Sequence, residues 1–261
     1  SEWHEGGYFA RSISCTGCAM CRRGNHFLAR AILCIGLTLV SATPSASDPR
    51  TTLDPHSAHW QQAIGRLEVP ITRTEEGRLR HFTEHCSAVA ITPGPLPIFV
   101  SAWHCFDGYR STLDPLQLVL PREEEPLLLT LIASGGSMRE DWALLRAQRP
   151  IFTASWIPIS LNRPQPGSRV IAAGFAPTEH PPSSMTHRQL VADPVCLVTD
   201  SESRPAASNC VARQGASGGA ILTQTASGSA RLLGIISAGD GKTVSFFYPT
   251  QSLLERVRRL R

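Results

Sequence analysis

From Ile64 onward the chain alternates short apolar runs with turn signals. "CSAVAIT", "PIFVSAWH", "LQLVL", "LLLTLIA" and "WALLRA" are of strand length, rich in Val, Ile and Leu, and bounded by Pro and Gly. A proline-rich stretch, "RPIFTASWIPISLNRPQPGS" at residues 149–168, then reads as an extended connector. A second set follows it: "RVIAAGFA", "HRQLVA", "VCLVTD", "GAILTQ", "RLLGIISAG" and "TVSFFYP". Two groups of strands around a connector predict two β-modules. The end of the chain breaks the pattern. Leu253, Leu254, Val257 and Leu260 fall at helical spacing, and Ser252 with Glu255 fits a capping box, so a short amphipathic C-terminal helix is predicted with its arginines on the solvated face. Residues 48–63, "DPRTTLDPHSAHWQQA", show no periodicity and read as an exposed lead-in.

A different pattern precedes residue 48. From Met20 a basic segment (Arg22, Arg23, Arg30) leads into an apolar run from Ala31 to Val40 and then into small residues around Ala42, Ala46 and Ser47. This is the layout of a signal peptide over residues 20–47. The apolar run is about half of the roughly 20 residues that a membrane-spanning helix needs. Leu33, not a small residue, precedes Cys34, which argues against a lipid anchor. Residues 1–19 hold Cys15 and Cys18, which with Cys21 form a C-x-x-C-x-x-C run. Ahead of an export signal a metal-binding arm has no function to serve, and residues 1–19 are read as an upstream extension. The expected product is a secreted or periplasmic protein with no stable membrane anchor after cleavage, divided into 48–155 and 156–261.

Composition narrows the class. With 42% hydrophobic and 18% charged residues, and 20 Gly and 20 Pro, the chain is globular, turn-rich and all-β. A net charge of +4 without a basic stripe and interleaved aromatics gives no reason to expect nucleic acid. Four cysteines lie beyond the signal segment: Cys86, Cys105, Cys196 and Cys210. They allow three connectivities, of which local spacing favours Cys86–Cys105 and Cys196–Cys210, each stapling a hairpin. Nothing in the pattern asks for a second copy, and a monomer is expected.

The candidate chemistry centres on "RQGASGGAIL", residues 213–222, where Ser217 stands among small residues that leave its hydroxyl and the surrounding amides unshielded. A serine hydroxyl needs a base, a group to orient that base, and donors for the oxyanion that forms. His104 in "VSAWHCFDG" follows an apolar strand, and a disulfide at Cys105 would fix its backbone. Asp141 in "REDWALLRA" directly precedes an apolar strand, where its carboxylate is shielded from water and available to an imidazole. Gly215 allows the backbone conformation that turns its amide toward a substrate carbonyl, with the Ser217 amide as second donor. Asp107 and Asp114 are rival acids in a polar loop; His56, His59, His81, His85, His180 and His187 lack a comparable frame. His104, Asp141 and Ser217 also occur in one of the known triad orders along a chain.

These motifs together resemble the trypsin/chymotrypsin-like serine peptidases, particularly their secreted bacterial members. "CSAVAI…VSAWHC" is similar to the family's Cys-strand and small-residue-His-Cys motif, "DWALLR" to its acid motif, and "RQGASGGAI" to its G-D-S-G-G nucleophile motif. "GSRVIAAGFA" and "LLGIISAG" are similar to the first strand of its second barrel and to the strand that pairs with substrate. The resemblance covers roughly residues 64–261. It implies two antiparallel six-stranded β-barrels with a short C-terminal helix, a cleft between them, a polypeptide substrate and neither metal nor organic cofactor. In its register Val211 lies near the base of the specificity pocket, with Ser237, Ala238 and Gly239 along one wall, and an apolar P1 residue is expected.

The departures from the family pattern are informative. Ala216 stands where trypsin carries the aspartate that binds a freed N-terminus, so maturation by that switch is not expected. Trp103 is bulkier than the usual Ala, and Arg213 replaces a cysteine. Two other readings stand beside the peptidase: a catalytically inactive protease-like binding module, and an esterase-like hydrolase.

Overall fold

The computed structural model describes residues 48–111, 114–151, 155–178, 188–225 and 228–260. Among these, thirteen strands are numbered β1 to β13 in chain order, the first being β1 (Thr51–Thr52). A first closed barrel comprises β2 (Ile64–Glu75), β3 (Arg78–Ala90), β4 (Ile98–Ser101), β5 (Leu116–Val119), β6 (Leu127–Ser134) and β7 (Ala143–Ala147). Its order is β2-β3-β4-β7-β6-β5, all antiparallel, and β5 closes back on β2.

The second comprises β8 (Arg169–Ala176), β9 (Gln189–Asp200), β10 (Ala206–Ser208), β11 (Ala220–Gln224), β12 (Ala230–Gly239) and β13 (Ser245–Pro249). They run β8-β9-β10-β13-β12-β11, and the pairing of β11 with β8 closes the ring. The expected all-β architecture of two six-stranded barrels is the observed one.

Period-two patterning explains how each barrel fills. In β5 Leu116 and Leu118 point inward between partly exposed neighbours, and in β6 Leu127 and Leu129 do the same while Leu128 and Thr130 face out. With Leu67, Ile71, Phe99, Leu144 and Leu145 they are almost fully excluded from solvent. Each such side chain contributes about 1.5–3 kcal/mol through burial. The central strands β4 and β7 are buried over nearly their whole length and read as unbroken apolar runs for that reason.

Three expectations need correction. "HRQLVA" and "VCLVTD" are not separate strands: Gln189–Asp200 is one strand that bends at Pro194. Its pairing with β8 shifts there from Ala172 opposite Asp193 to Val170 opposite Cys196. A proline lacks a ladder donor and is accommodated at such a bulge.

The lead-in is not merely exposed. Thr51 and Thr52 pair with Ala192 and Val191 of β9, adding an edge strand to the second barrel, and Trp60 and Ala63 are buried.

The predicted capping box does not form. A 3₁₀ turn (Thr250–Leu253) precedes the helix α1 (Leu254–Arg259) and moves its N-cap to Leu253. Ser252 Oγ instead lies 3.0 Å from Tyr248 Oη and 3.2 Å from the Pro249 carbonyl. The helix still docks by its apolar stripe, with Leu253 and Val257 buried. Arg256 is exposed, as expected, while its guanidinium lies 4.9 Å from the centroid of the Trp142 ring.

Both favoured disulfides are present: Cys86–Cys105 and Cys196–Cys210. Among the described residues no helix is long and apolar enough to cross a membrane. His180, His187, and the cysteines at 15, 18, 21 and 34 lie outside the described residues.

Candidate active site

His104 sits in a single 3₁₀ turn, Trp103–Phe106, just after β4. The adjacent Cys105 is bonded to Cys86 in β3, so the turn is fixed to the strand beside it. The His104 backbone N–H donates to Asp141 Oδ1 at 2.8 Å, and its Nδ1–H donates to Asp141 Oδ2 at 2.9 Å. With Nδ1 committed as donor, the neutral ring presents Nε2 as its acceptor.

Asp141 is fully buried directly before β7. Ser237 of β12 also donates to its Oδ2, so the carboxylate is held by groups from both barrels. Burial pushes this carboxyl up, yet the hydrogen bond and charge of His104, followed by Ser237 and the His104 amide, outweigh it and hold the group below the usual carboxylate range.

Next to it, Glu140 accepts hydrogen bonds from Tyr248 Oη at 2.6 Å and Trp142 Nε1 at 3.3 Å and pairs with Arg204 at 3.2 Å. These contacts fix the segment that carries Asp141.

Ser217 lies in a tight loop between Arg213 and Gly219. The Ala216 N–H donates to the Arg213 carbonyl (2.9 Å), Gly218 N–H to Ile236 (2.7 Å) and Gly219 N–H to Ala216 (2.8 Å). The alternate amides differ: among the described residues, neither Gly215 N–H nor Ser217 N–H has a hydrogen-bond partner. Gly215 is buried, and an unpaired buried amide is costly unless something else is meant to meet it.

Its conformation, φ +98°, belongs to glycine. The carbonyl of the preceding Gln214 accepts a hydrogen bond from Arg188 Nη1 at 3.1 Å. Because a trans peptide is planar, fixing that carbonyl points the Gly215 N–H the opposite way.

Ser87 joins this loop to the first barrel. Its amide donates to the Ser217 carbonyl at 2.7 Å and its hydroxyl to the Gly215 carbonyl at 2.9 Å, while the hydroxyl oxygen accepts from Phe175 N–H at 2.8 Å. Ser101 Oγ donates to the Ser87 carbonyl at 2.7 Å. A Cβ at Gly218 would strike Ser101 Oγ and the Ser87 carbonyl and come within 3.0 Å of the Ala102 nitrogen. The serine loop thus packs directly on the backbone leading to His104. The Ser217 hydroxyl is partly exposed and free of hydrogen bonds among the described residues. Among the described residues no hydrogen bond joins it to His104 Nε2; a contact between nucleophile and base is often long without substrate and tightens only when it binds.

A cleft of about 500 Å³ opens beside Ser217, lined by Ala212, Arg213, Gln214, Ala238, Gly239 and Lys242 among others. The structure therefore brings Ala238 and Gly239 to the cleft. Ser237 turns toward Asp141 instead, because successive strand residues face opposite sides.

Val211 lies behind the loop in a much smaller cavity with Asp193 and Ala216, where its N–H donates to Asp193 Oδ2 at 2.9 Å. Asp240 lines the cleft by position, but its carboxylate accepts the amides of Val244, Thr243 and Lys242 and the Thr243 hydroxyl. Those bonds hold it far below the ordinary carboxylate range. Asp200 is likewise engaged by Ser203 and Glu202 in its own turn.

Ligand atoms of Cys86, His104 and Cys105 cluster within 4.8 Å, but both sulfurs are committed to the disulfide and offer no thiolate. Sequence reasoning missed Ser87, Arg188 and Glu140. Ser87 follows Cys86 in a quoted strand, and an inward serine in an apolar run is the only hint it gives. Arg188 carries no local signal, since the Gln214 carbonyl to which it donates is 26 residues away.

A family model described as Trypsin matches residues 64–256. Among solved structures, that of the HtrA-type protease AlgWS227A with decapeptide superposes with a TM-score of 0.54 at 16% identity, covering 77% of this chain. This chain spans 64% of the length of that neighbour, and at such identity the likeness speaks to the fold. No curated protein matches.

Proposed function

The chain belongs to the trypsin family, and on that premise we propose that it is a secreted serine endopeptidase working through an acyl-enzyme. In this reading Ser217 attacks the scissile carbonyl. His104 takes the serine proton through Nε2 and returns it to the leaving amine. Asp141, held by Ser237, fixes the tautomer and stabilises the imidazolium.

The observation that carries the proposal is the pair of amides, Gly215 and Ser217, unpaired among the described residues in a loop where the N–H groups of Ala216, Gly218 and Gly219 are bonded. Free backbone donors beside the nucleophile are what a developing oxyanion requires. Their arrangement in the uncleaved chain, with Ala216 in the loop, favours a site that is organised without release of a new N-terminus.

Among the described residues the cleft offers no uncommitted carboxylate, and Arg213 and Lys242 line it. A lysine or arginine at P1 would be buried unpaired, so an uncharged apolar P1 side chain is preferred. The leader at 20–47, the two disulfides and the division near residue 155 fit an exported, monomeric enzyme of two barrels.

Hydrolysis of a peptide amide and of its matching ester by the wild type and by Ser217→Ala tests this. Cleavage of both by the wild type only is expected. Cleavage of the ester alone would favour the esterase-like reading, and cleavage of neither would favour a binding module.

A further inference from the structure

The segment Asp48–Leu53 reaches the loop that carries Ser217. Thr51 and Thr52 pair with β9, and the Leu53 N–H donates to the Leu190 carbonyl at 2.9 Å, so the segment is laid along the second barrel. Immediately before it, the Arg50 side chain is only 4% exposed, unusual for an arginine so near a lead-in. It lines the small cavity behind Val211 and Ala216, and its Nη1 donates to the Pro177 carbonyl at 3.2 Å. Its Nε and Nη2 donate to Asp48 at 3.0 and 2.7 Å. The same Asp48 Oδ2 meets Arg213 Nη2 at 2.9 Å. Arg213 is the first residue of the serine loop. Its carbonyl accepts the Ala216 N–H, its stem lies over Gly241, and it borders the cleft.

One carboxylate therefore holds two guanidiniums, one of them almost fully buried behind the loop and the other part of it. We propose that Asp48 and Arg50 are positioning residues: with β1 they form an intramolecular strap that holds Arg213, and through it the amides of Gly215 and Ser217, in the arrangement used for catalysis. This rests on the peptidase reading. It also gives that reading a physical source of order for a loop in which Ala216 offers no carboxylate of its own. Removing Asp48's charge leaves Arg50 and Arg213 facing each other with no shared anion. Breaking one partner of a shielded ion cluster costs more than the cluster contributes, so Arg213 should swing away. Displacing donors by about 1 Å is enough to cost up to about 100-fold in rate.

The test uses the full chain and its Asp48→Asn, Asp48→Glu and Arg50→Ala variants, with a serine-directed fluorophosphonate and amide hydrogen exchange over residues 213–219. Asp48→Asn and Arg50→Ala are expected to label about 10- to 100-fold more slowly than wild type. Peptide hydrolysis should fall mainly in kcat, exchange over 213–219 should quicken, and the melting transition should persist. Asp48→Glu should restore the labelling rate. Combining Asp48→Asn with Arg213→Gln should add little to Asp48→Asn alone, because both break one linkage.

Equal labelling and equal exchange in wild type and Asp48→Asn would overturn the strap while leaving the peptidase intact. An unlabelled wild type would overturn the peptidase reading, and unchanged exchange in that case would also overturn the strap.

Discussion

Ser87 holds Ser217 by its backbone: the Ser87 amide donates to the Ser217 carbonyl at 2.7 Å, across the junction of the two barrels. The Ser87 hydroxyl spans the same junction, donating to Gly215 and accepting from Phe175. One buried serine next to the Cys86 disulfide therefore ties the candidate oxyanion loop to the strand that also braces His104.

Replacing Ser87 with Ala removes only an oxygen but leaves the Gly215 carbonyl and the Phe175 N–H without that partner. Unfolding should show a loss of about 1–3 kcal/mol for such unmade buried bonds. Peptide hydrolysis should fall with it, chiefly in kcat, since the amide beyond Gly215 loses its register. Unchanged kcat in a folded variant would remove Ser87 from the account of the site.

Asp141→Asn keeps the shape of the side chain but offers His104 Nδ1 an amide. The wrong tautomer is then as readily held as the right one, and kcat should fall by about 10⁴-fold with little change in KM. Linkage supplies a second readout. Because the Asp141 carboxyl is depressed in the fold, its contribution to stability is complete above the unfolded value of about 3.9 and is lost as pH falls through the lower folded value. Between about pH 5 and pH 2 the loss of stability on acidification should be shallower in the variant than in wild type.

Desolvation, then the charge of Arg188, pushes the His85 imidazole below its usual range, and its Nδ1 is buried without a hydrogen-bond partner among the described residues. A histidine depressed in this way stabilises fully above the unfolded pKa of about 6.5, and that stability is lost as pH falls through the folded value. Wild type should therefore lose stability on mild acidification, and His85→Leu should lose less. Melting temperatures at neutral and mildly acidic pH decide it: parallel curves for the two proteins would show that His85 is not a source of the acid sensitivity.

The fold was legible in local signals, and the candidate residues rest on signals of the same kind. His104 beside Cys105, Asp141 before "WALLRA" and Ser217 among glycines are each fixed by a few neighbours, and the strands announce themselves by apolar runs between Pro and Gly. What was not legible is long-range. Ser87 meets Gly215 over a separation of 128 residues, and Thr51 meets Ala192 across 141. No spacing rule links such positions. β9 was split because Pro194 is a turn signal in sequence but a bulge in the barrel. The wall of the cleft was only partly legible, since a family register places Ser237 beside Ala238 whereas strand alternation turns Ser237 onto Asp141.

The central claim is that Ser217 is an activated nucleophile. Intact mass of residues 48–261, taken before and after a serine-directed fluorophosphonate and beside Ser217→Ala, tests it most directly. The account predicts one adduct on the wild type and none on the variant. An unmodified wild type with both disulfides formed, or an adduct that survives Ser217→Ala, would contradict it.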